Sequence, residues 1–414
     1  MTYPYIFTGG SDGRYPTAPP IQGTDGNWYG TTQGDFSNPG SVYKLTPPST
    51  LIPPHQFVHG EQPQDPLVQA TDGNFYGTTH YGGTSNHGSV FRITPAGKFT
   101  VIYNFDGTHG QAPYSPLIQA ADGNFYGTTT SGGSGGLVFK LTSAGKITVL
   151  YTFIQGSGPS VPIAGLVQAT DGYLYGTTSQ GGTGSDGTVF RISEKPSTPS
   201  YLYNFDGTTG NMPEDTLLQN TNGILYGDTF YGGTSGANAW GVFYSWNQGL
   251  KPFVSLLSTS GKVGDNPNPI GILGQGFTGA TAVFFNGVSA AFTLDTTYPD
   301  TYLTATVPSG ATKGKVTVVT PAGTLTSNRV FTVVPDILNF NPTGGKVGVP
   351  VVITGSGLTQ ASKVKFGGGK AATFAVNSDS QVTATVPTGA KTGKIAITTP
   401  GGTATSSGTF TVTP

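Results

Sequence analysis

The chain has 414 residues, a net charge of −1 and only 9% charged residues, whereas glycine (65) and proline (31) are abundant. Nucleic-acid binding depends on clustered Lys and Arg, and no run of like charges occurs, so we expect no nucleic-acid partner. No stretch approaches 18 apolar residues, which predicts no membrane span. The absence of cysteine excludes disulfides and thiolate metal sites.

The N-terminal residues, Met-Thr-Tyr-Pro, do not resemble a signal peptide. A polar composition dominated by Thr, Ser, Gly and Asn is nevertheless common in secreted bacterial proteins. We therefore expect a secreted or cell-surface bacterial protein in its mature form, from which the export signal has been removed.

An eight-residue motif recurs five times, with Asp72-Gly-Asn-Phe-Tyr-Gly-Thr-Thr79 as its clearest copy. Each copy is preceded by a short apolar strand and followed by a Gly-rich loop and two further strands separated by a tight turn. Four-stranded units of 40 to 50 residues are typical of propeller blades. The five copies predict a five-bladed β-propeller over residues 1–250, and they begin at Asp25, Asp72, Asp122, Asp171 and Asn222.

The two ends of this repeat region predict how the propeller closes. The fifth repeat has only its first three strands, and Tyr5-Ile-Phe7 matches the fourth strand Tyr103-Asn-Phe105. A ring without an open edge needs a fourth strand in every blade. We therefore expect the N-terminal strand to complete the fifth blade and close the ring.

After residue 250 the pattern changes to two similar segments of about 80 residues, 251–335 and 336–414. Gly261-Lys-Val-Gly264 aligns with Gly345-Lys-Val-Gly348, and Thr304-Ala-Thr-Val-Pro308 aligns with Thr383-Ala-Thr-Val-Pro387. Alternating strands with frequent turns predict two small immunoglobulin-like β-sandwich domains. The complete prediction is an all-β chain with a closed five-bladed propeller and two sandwiches.

The motifs resemble known families over essentially the whole chain. Residues 1–250 resemble the GloVer-type tandem repeat of environmental bacteria through the eight-residue motif. Residues 251–335 and 336–414 resemble IPT/TIG domains through Gly274-Gln-Gly-Phe277 and its counterpart Gly355-Ser-Gly-Leu358, where Leu replaces Phe. The resemblance implies a propeller with two immunoglobulin-like domains. TIG domains accompany polysaccharide-active enzymes and surface proteins alike, so no single activity follows.

The long, varied loops of the repeats should lie on one face of the propeller, around a central funnel. Just before the first strand of each repeat, the equivalent residues are Ala18, Asp65, Ser115, Ala164 and Asp215. Carboxylates in blades two and five could lie within the separation used in glycoside hydrolysis. Glu61 and Glu214 lie beside them in sequence. The alternative interpretation is that these aspartates only cap turns.

Asp228 is a second departure from the repeat pattern, because the other four repeats have threonine there. This carboxylate is either functional or the result of drift at a half-buried position.

Aromatic and histidine side chains in the same loops are candidates for holding a sugar, because aromatic rings stack on its apolar face. The candidate substrate-binding residues are His80, Tyr81, His109, Tyr114, Phe230, Tyr231 and Trp240. They could instead pack into their own blades.

Residues present in nearly every repeat indicate structural roles. One such ring is Gln22, Gln69, Gln119, Gln168 and Gln219. A second ring has Lys44, Arg92, Lys140 and Arg191 with Tyr244 in the fifth position, and we expect it to face solvent or to pair with the hairpin aspartates.

The first hypothesis is an extracellular glycoside hydrolase that acts on a polysaccharide through carboxylates of the funnel. The candidates are Asp65, Asp215, Asp228, Glu214 and Glu61, with acid and base unassigned. A polysaccharide lyase using His80 or His109 with Tyr81 or Tyr114 is a variant of it. The alternatives are a non-catalytic lectin or adhesin and a protein-binding scaffold. We expect a monomer with no metal or cofactor.

Overall fold

The computed structural model of the protein describes residues 5–10, 12–34, 39–48, 50–57, 61–156, 158–234, 239–264 and 269–414. These residues form two compact units, one of residues 1–220 with 224–250 and one of residues 251–414 with 221–223. Within these described residues, strands supply all of the regular structure except for one 3₁₀ turn, Gly367–Gly369. The prediction of an all-β protein is confirmed.

The first unit contains five consecutive antiparallel sheets, here called the first to fifth sheets. The first has β1 (Ile21–Gln22), β2 (Trp28–Gly34), β3 (Pro39–Thr46) and β4 (Thr50–Gln56). The second has β5 (Val68–Gln69), β6 (Phe75–Thr79), β7 (Ser89–Ile93) and β8 (Phe99–Asn104). The third has β9 (Ile118–Gln119), β10 (Phe125–Thr129), β11 (Leu137–Leu141) and β12 (Ile147–Thr152).

The fourth sheet has β13 (Val167–Gln168), β14 (Leu174–Thr178), β15 (Thr188–Ile192) and β16 (Ser200–Asn204). The fifth has β17 (Leu218–Gln219), β18 (Leu225–Asp228) and β19 (Phe243–Trp246). Neighbours in sequence are neighbours in each sheet, so every repeat folds as a simple up-and-down meander.

The recurring motif builds the hairpin between the first two strands of each sheet. In the second sheet, Asp72 accepts hydrogen bonds from the backbone of Asn74 at 3.0 Å and from the Tyr76 hydroxyl at 2.8 Å. Gly73 has φ +82°, a left-handed conformation that favours glycine. Gly77 leaves room for the Phe91 ring, since a Cβ there would lie 2.6 Å from Cζ of that ring. The motif therefore specifies both a turn and a packing site.

Apolar clusters join successive sheets from the first to the fifth. The cluster between the second and third sheets includes Tyr76, Val90, Phe125 and Phe139. Aromatic edge-to-face contacts recur at these junctions, for example between Phe105 and Phe139, whose centroids are 5.4 Å apart. The apolar side chains that stabilise this unit are therefore buried between neighbouring sheets rather than within one sheet.

The predicted closure of the ring by Tyr5-Ile-Phe7 is not present among the described residues. Residues 5–8 form no strand, and the fifth sheet has three strands. In the first four sheets a phenylalanine after the fourth strand, such as Phe105, donates its backbone N–H to a glycine carbonyl, Gly88 in that case. No such bond joins Phe7 to Gly241. Phe7 does pack on Tyr43 of the first sheet, 5.1 Å between centroids, as Phe105 packs on the next sheet.

At the junction between the fifth and first sheets, two aromatic side chains that a closed ring would bury are exposed to solvent. Phe243 is 76% exposed, whereas Val90 and Val138, at the same position of the repeat, are fully buried. Trp28 of the first sheet is also exposed, although its counterparts Phe75 and Phe125 are buried. The count of five sheets is observed, and the closed five-bladed ring stays a prediction.

The prediction that Tyr244 is the fifth member of the ring formed by Lys44, Arg92, Lys140 and Arg191 is wrong by one residue. Arg92 pairs with Tyr76 across β6 and β7, and the residue that pairs with the equivalent Tyr226 is Ser245, not Tyr244. Tyr244 instead takes the place of Phe91 and packs on Phe205, with ring centroids 5.1 Å apart. An aromatic side chain at that position fills the inter-sheet core, so Tyr244 is not a solvent-facing member of the ring.

The second unit contains two sandwiches with the same strand order. In the first sandwich, β20 (Ser255–Leu256), β22 (Ile270–Leu273), β26 (Tyr302–Ala305) and β25 (Phe292–Leu294) form one sheet. The other sheet has β21 (Ser260–Lys262), β28 (Gly323–Val334), β27 (Gly314–Thr320), β23 (Ala282–Phe285) and β24 (Val288–Ala290). Strands β21 and β28 run parallel, and the other pairs are antiparallel.

The second sandwich repeats this order with β29 (Asp336–Asn341), β31 (Pro350–Ser356), β35 (Gln381–Thr385) and β34 (Phe374–Ser378). The facing sheet has β33 (Lys370–Ala371), β32 (Lys363–Phe366), β36 (Ala396–Thr399) and β37 (Gly402–Thr405). Strands β30 (Gly344–Gly345) and β38 (Thr411–Val412) pair in parallel beside it. Each sandwich has its own buried core, which includes Phe277 in the first and Leu358 in the second.

Candidate functional site

A cavity of about 770 Å³ lies between the second, third, fourth and fifth sheets. Pockets of this volume are typical of small-molecule and oligosaccharide sites. Its polar lining includes Asp65, Glu214, Asp215, Asp228 and Tyr114. Four of the five predicted carboxylates are thus brought into one cavity, from two sheets that are three repeats apart in sequence.

These side chains occupy equivalent positions of the repeat. A proline precedes the first strand, and at least one of the two residues after it lines the cavity in the second to fifth sheets. Tyr114 and Glu214 occupy the first of these positions, while Asp65 and Asp215 occupy the second. The repeat therefore supplies a fixed position, and the side chain found there decides its chemistry.

The threonine position replaced by Asp228 normally links neighbouring sheets. Thr128 donates its hydroxyl to the carbonyl oxygen of Ala164 at 3.0 Å, and Thr31 donates to that of Asp65 at 3.2 Å. Threonine at this position is buried in the first four sheets. Asp228 is instead exposed and lines the cavity. The substitution therefore replaces a structural hydrogen bond with an accessible carboxylate.

The same two positions face each other within one sheet, and their chemistry differs from sheet to sheet. In the third sheet the hydroxyl oxygens of Ser115 and Thr128 are 2.8 Å apart. In the second sheet Thr78 donates to Asp65 at 3.1 Å. In the fifth sheet the two positions hold Asp215 and Asp228. The fold thus builds a hydroxyl pair, a hydroxyl–carboxylate pair and a carboxylate pair from equivalent backbone positions.

Burial raises the pKa of Asp65 to about 6, and the hydrogen bond from Thr78 limits that rise. A carboxyl group with this pKa holds its proton into the mildly acidic range. The ionised form lacks a cationic partner in the cavity, because the described lining residues include no Lys, Arg or His. Asp65 therefore has the surroundings of a proton donor.

The carboxylate pair of the fifth sheet has different electrostatics. The pKa of Asp228 is raised by burial, by the negative charge of Asp215 and by a hydrogen bond with that carboxyl group. Burial and the charge of Asp215 also raise the pKa of Glu214. Repulsion between like charges held close together makes the ionised form of Asp228 less favourable. A carboxylate pair can accept a proton and can hydrogen-bond sugar hydroxyls.

Histidine and aromatic residues predicted to bind substrate are divided between two places. Tyr114 lines the cavity, and its ring packs on His80, with centroids 3.5 Å apart. His80 in turn packs on Tyr81 at 4.1 Å. His109 lies elsewhere and is ion-paired through Nδ1 with Asp106 at 2.7 Å.

The remaining candidates do not line the cavity. Phe230, Tyr231 and Trp240 are all solvent-exposed, and Phe230 packs edge-to-face on Tyr231. Glu61 lies against Gly82, outside the lining residues. Phe230, Tyr231 and Trp240 therefore lie near the fifth-sheet carboxylates in sequence but do not line the cavity with them.

Sequence reasoning missed two aromatic residues of the cavity, Tyr226 and Phe243. The sequence did not single out Tyr226 as a site residue, because tyrosine recurs at this position in all five repeats. Phe243 was detectable, since valine stands at this position in the other four repeats. The sequence pattern placed Tyr244 in the ring with Lys44 and Arg92, but its hydroxyl is buried and has no hydrogen-bond partner among the described residues. Burial and the charges of Asp228 and Asp215 raise the pKa of Tyr244.

Within the described ranges, no group of three or more His, Asp or Glu residues is arranged to hold a metal ion. No helix in the same part of the chain is long and apolar enough to cross a membrane.

The sequence pattern of the Gloeobacter/Verrucomicrobia repeat matches residues 15–239, more than half of the chain. The chain belongs to this repeat family. The IPT/TIG domain pattern matches residues 335–412, which form the second sandwich. The prediction of these two families is confirmed for those ranges.

Comparison with solved structures finds only distant similarity. A surface glycan-binding protein from Prevotella bryantii aligns at 18% identity over 38% of this chain and 41% of that chain, with a TM-score of 0.28. The exo-β-1,3-galactanase 1,3Gal43A from Clostridium thermocellum aligns at 14% identity over 88% and 90%, with a TM-score of 0.32. Kuenenia stuttgartiensis hydrazine synthase aligns at 16% over 50% and 60%, with a TM-score of 0.37.

The aligned region spans less than two thirds of the Prevotella protein. At these identities and TM-scores, the similarity carries no functional argument. No curated protein matches the chain.

Proposed function

We propose that this protein is a secreted or cell-surface glycoside hydrolase that cleaves a polysaccharide in the cavity of the first unit. The observation that carries the proposal is the meeting of Asp65 from the second sheet with Asp215 and Asp228 from the fifth in one cavity. Glycoside hydrolysis needs a carboxylic acid that holds a proton and a second carboxylate that activates water or attacks the sugar. The raised pKa of Asp65 suits it to the role of the acid, and the Asp215–Asp228 pair supplies the second carboxylate.

In the proposed reaction, Asp65 donates its proton to the glycosidic oxygen as the bond from this oxygen to the anomeric carbon breaks. Water attacks the anomeric carbon, and the Asp215–Asp228 pair accepts the proton that the water loses. The products are a new reducing end and a free hydroxyl on the leaving sugar. Asp65 is reprotonated from solvent and the Asp215–Asp228 pair releases its proton to solvent, which completes the cycle.

The charge of the cavity favours a neutral polysaccharide over a polyuronate. Four carboxyl groups line the cavity, and no cation is among its described lining residues. A lyase abstracts the proton beside a uronate carboxyl group, and that carboxylate needs a positive partner. The proposed hydrolase requires no such partner, so we prefer it to the lyase.

The proposal predicts cleavage that depends on Asp65 and Asp228. The wild-type protein should release reducing ends from at least one neutral polysaccharide, with activity that falls as the pH rises above the Asp65 pKa of about 6. Asp65→Asn and Asp228→Thr should each lower kcat by at least about 100-fold. The measurement is a reducing-sugar assay over glucans, xylans, mannans and galactans, with uronate polymers monitored for unsaturated products.

Asp206→Asn provides a matched control, because Asp206 accepts hydrogen bonds from Thr209 in an exposed turn outside the cavity. This variant should retain full activity. Unsaturated products from a uronate polymer would support the lyase instead.

The second candidate is non-catalytic glycan binding, as in a lectin or adhesin. Its specific support is the exposed aromatic group outside the cavity, Phe230, Tyr231 and Trp240. Retention on an immobilised glycan without turnover of any polysaccharide would favour this candidate.

A further inference from the structure

Three rings pack in a row beside the cavity, here called the aromatic stack: Tyr81, His80 and Tyr114. Neighbouring rings are tilted rather than parallel, by 38° between Tyr81 and His80 and by 57° between His80 and Tyr114. The centroid of His80 lies 4.1 Å from that of Tyr81 and 3.5 Å from that of Tyr114. His80 is only 4% exposed, whereas Tyr81 and Tyr114 are 41% and 40% exposed. The stack therefore presents two accessible rings on either side of a buried imidazole.

The local sequence explains why His80 is held between the tyrosines. At the same repeat position, Thr130 and Ser179 donate their hydroxyls to the carbonyl oxygens of Ala112 and Val161. His80 makes no such side-chain bond, and its buried Nδ1 has no partner among the described residues. A buried polar group without a partner is costly and points to a role other than stability.

The stack is uncharged near neutral pH, because burial lowers the pKa of His80 to about 4. The exposed ring of Tyr81 or Tyr114 can therefore pack on the apolar face of a pyranose ring without a neighbouring charge from His80.

The stack continues into the proposed active site through Tyr114. This tyrosine lines the cavity that contains Asp65, and burial together with the charges of Tyr81 and Asp65 raises its pKa. Tyr81 lies at the other end of the stack and does not line the cavity. A sugar chain whose bond is cleaved beside Asp65 would thus meet an aromatic surface as it leaves the cavity.

We propose that the aromatic stack is a binding subsite for a pyranose residue of a neutral polysaccharide, one or more residues away from the cleaved bond. This inference rests on the proposed function and adds to it the length of the substrate. The protein acts on chains long enough to occupy the cavity and the stack together, and short oligosaccharides lose the contact with Tyr81.

The experiment measures binding of cello-, xylo-, manno- and laminari-oligosaccharides of two and six residues by titration calorimetry, using Asp65→Asn to prevent cleavage. In at least one series the hexasaccharide should bind more tightly than the disaccharide. Adding Tyr81→Ala should weaken hexasaccharide binding by about tenfold and leave disaccharide binding unchanged. Tyr81→Phe, which keeps the ring, should restore hexasaccharide affinity.

Tyr173→Asn is the matched control, because Tyr173 is also 40% exposed but lies in the hairpin turn of the fourth sheet, where three other repeats have asparagine. It should change neither affinity. Equal weakening of both ligands by Tyr81→Ala, or no weakening of the hexasaccharide, would overturn the subsite while leaving the hydrolase proposal intact. Failure of every series to bind, together with no turnover of any polysaccharide, would overturn both.

Discussion

At the scale of single residues, equivalent repeat positions acquire different chemistry from one side chain. The position before the first strand holds alanine in the first and fourth sheets, serine in the third and aspartate in the second and fifth. Their burial also differs, because Ser115 is buried, Asp65 is half-buried and Asp215 is exposed. Asp65 differs from Ser115 because it brings an ionisable group into a half-buried site that offers it one hydroxyl donor, Thr78.

The raised pKa of Asp65 predicts a pH-dependent cost to stability. Between about pH 4 and pH 6 the folded protein holds a proton that the unfolded chain has lost, so stability falls as the pH rises through this window. Asp65→Asn keeps an acceptor for Thr78 and removes the ionisation. It should stabilise the first unit by about 2 kcal/mol at pH 7 and by little at pH 4.

Calorimetric unfolding of both proteins at the two pH values measures this effect. A stability difference that is the same at pH 4 and pH 7 would contradict the assigned cause.

At the scale of elements, glutamines at the ends of the short first strands connect each sheet to the preceding one. Gln69 accepts a hydrogen bond from the backbone of Thr24 at 2.9 Å, and Gln119 accepts one from Thr71 at 2.8 Å. Gln168 and Gln219 make the same contact with the third and fourth sheets. The structural role predicted for this ring is thus seen at four junctions.

Gln119→Leu should destabilise the first unit by about 1 to 2 kcal/mol, because it removes the acceptor for Thr71 and the donor to the Gly123 carbonyl. Gln22→Leu is the matched control. Among the described residues, the side chain of Gln22 makes one hydrogen bond, which it donates to the carbonyl oxygen of Gly26 within its own sheet at 3.4 Å. In the same thermal unfolding measurement, Gln22→Leu should lower the stability of the first unit clearly less than Gln119→Leu does. An equal loss of stability in the two variants would argue that the inter-sheet hydrogen bond contributes nothing to stability.

At the scale of the whole first unit, the junction between the fifth and first sheets differs from the other four. The apolar clusters join sheets one to two, two to three, three to four and four to five. Phe243 and Trp28, whose counterparts are buried in those clusters, are exposed. Exposed aromatic side chains contribute little to stability, because folding does not remove them from water.

Phe243→Ser should therefore change the unfolding temperature of the first unit very little. Val138→Ser, at the equivalent but fully buried position, should cost about 2 to 4 kcal/mol, because it removes apolar contacts and buries a hydroxyl. Thermal unfolding of the two variants beside wild type measures the contrast. A comparable loss for Phe243→Ser would indicate that the fifth and first sheets pack together in solution, as the closed-ring prediction requires.

The sequence by itself determined the elements that depend on local chemistry. Asp-Gly turns with a tyrosine four residues after the aspartate specify a hairpin wherever they occur, so five copies of the motif predicted five sheets. The aligned motifs of the two C-terminal segments likewise predicted two small sandwiches. Asp65, Asp215 and Asp228 stood out in the sequence because most of the other repeats have uncharged residues at the equivalent positions.

Only the tertiary structure decided which of these residues meet. Asp65 and Asp228 are 163 positions apart, and their shared cavity depends on the packing of four sheets. It also kept Phe230, Tyr231 and Trp240 out of the cavity that contains the fifth-sheet carboxylates, and it placed His80 between two tyrosines from different sheets. The physical reason is that contacts between sheets depend on burial across distant segments, which the turn chemistry of one repeat does not encode.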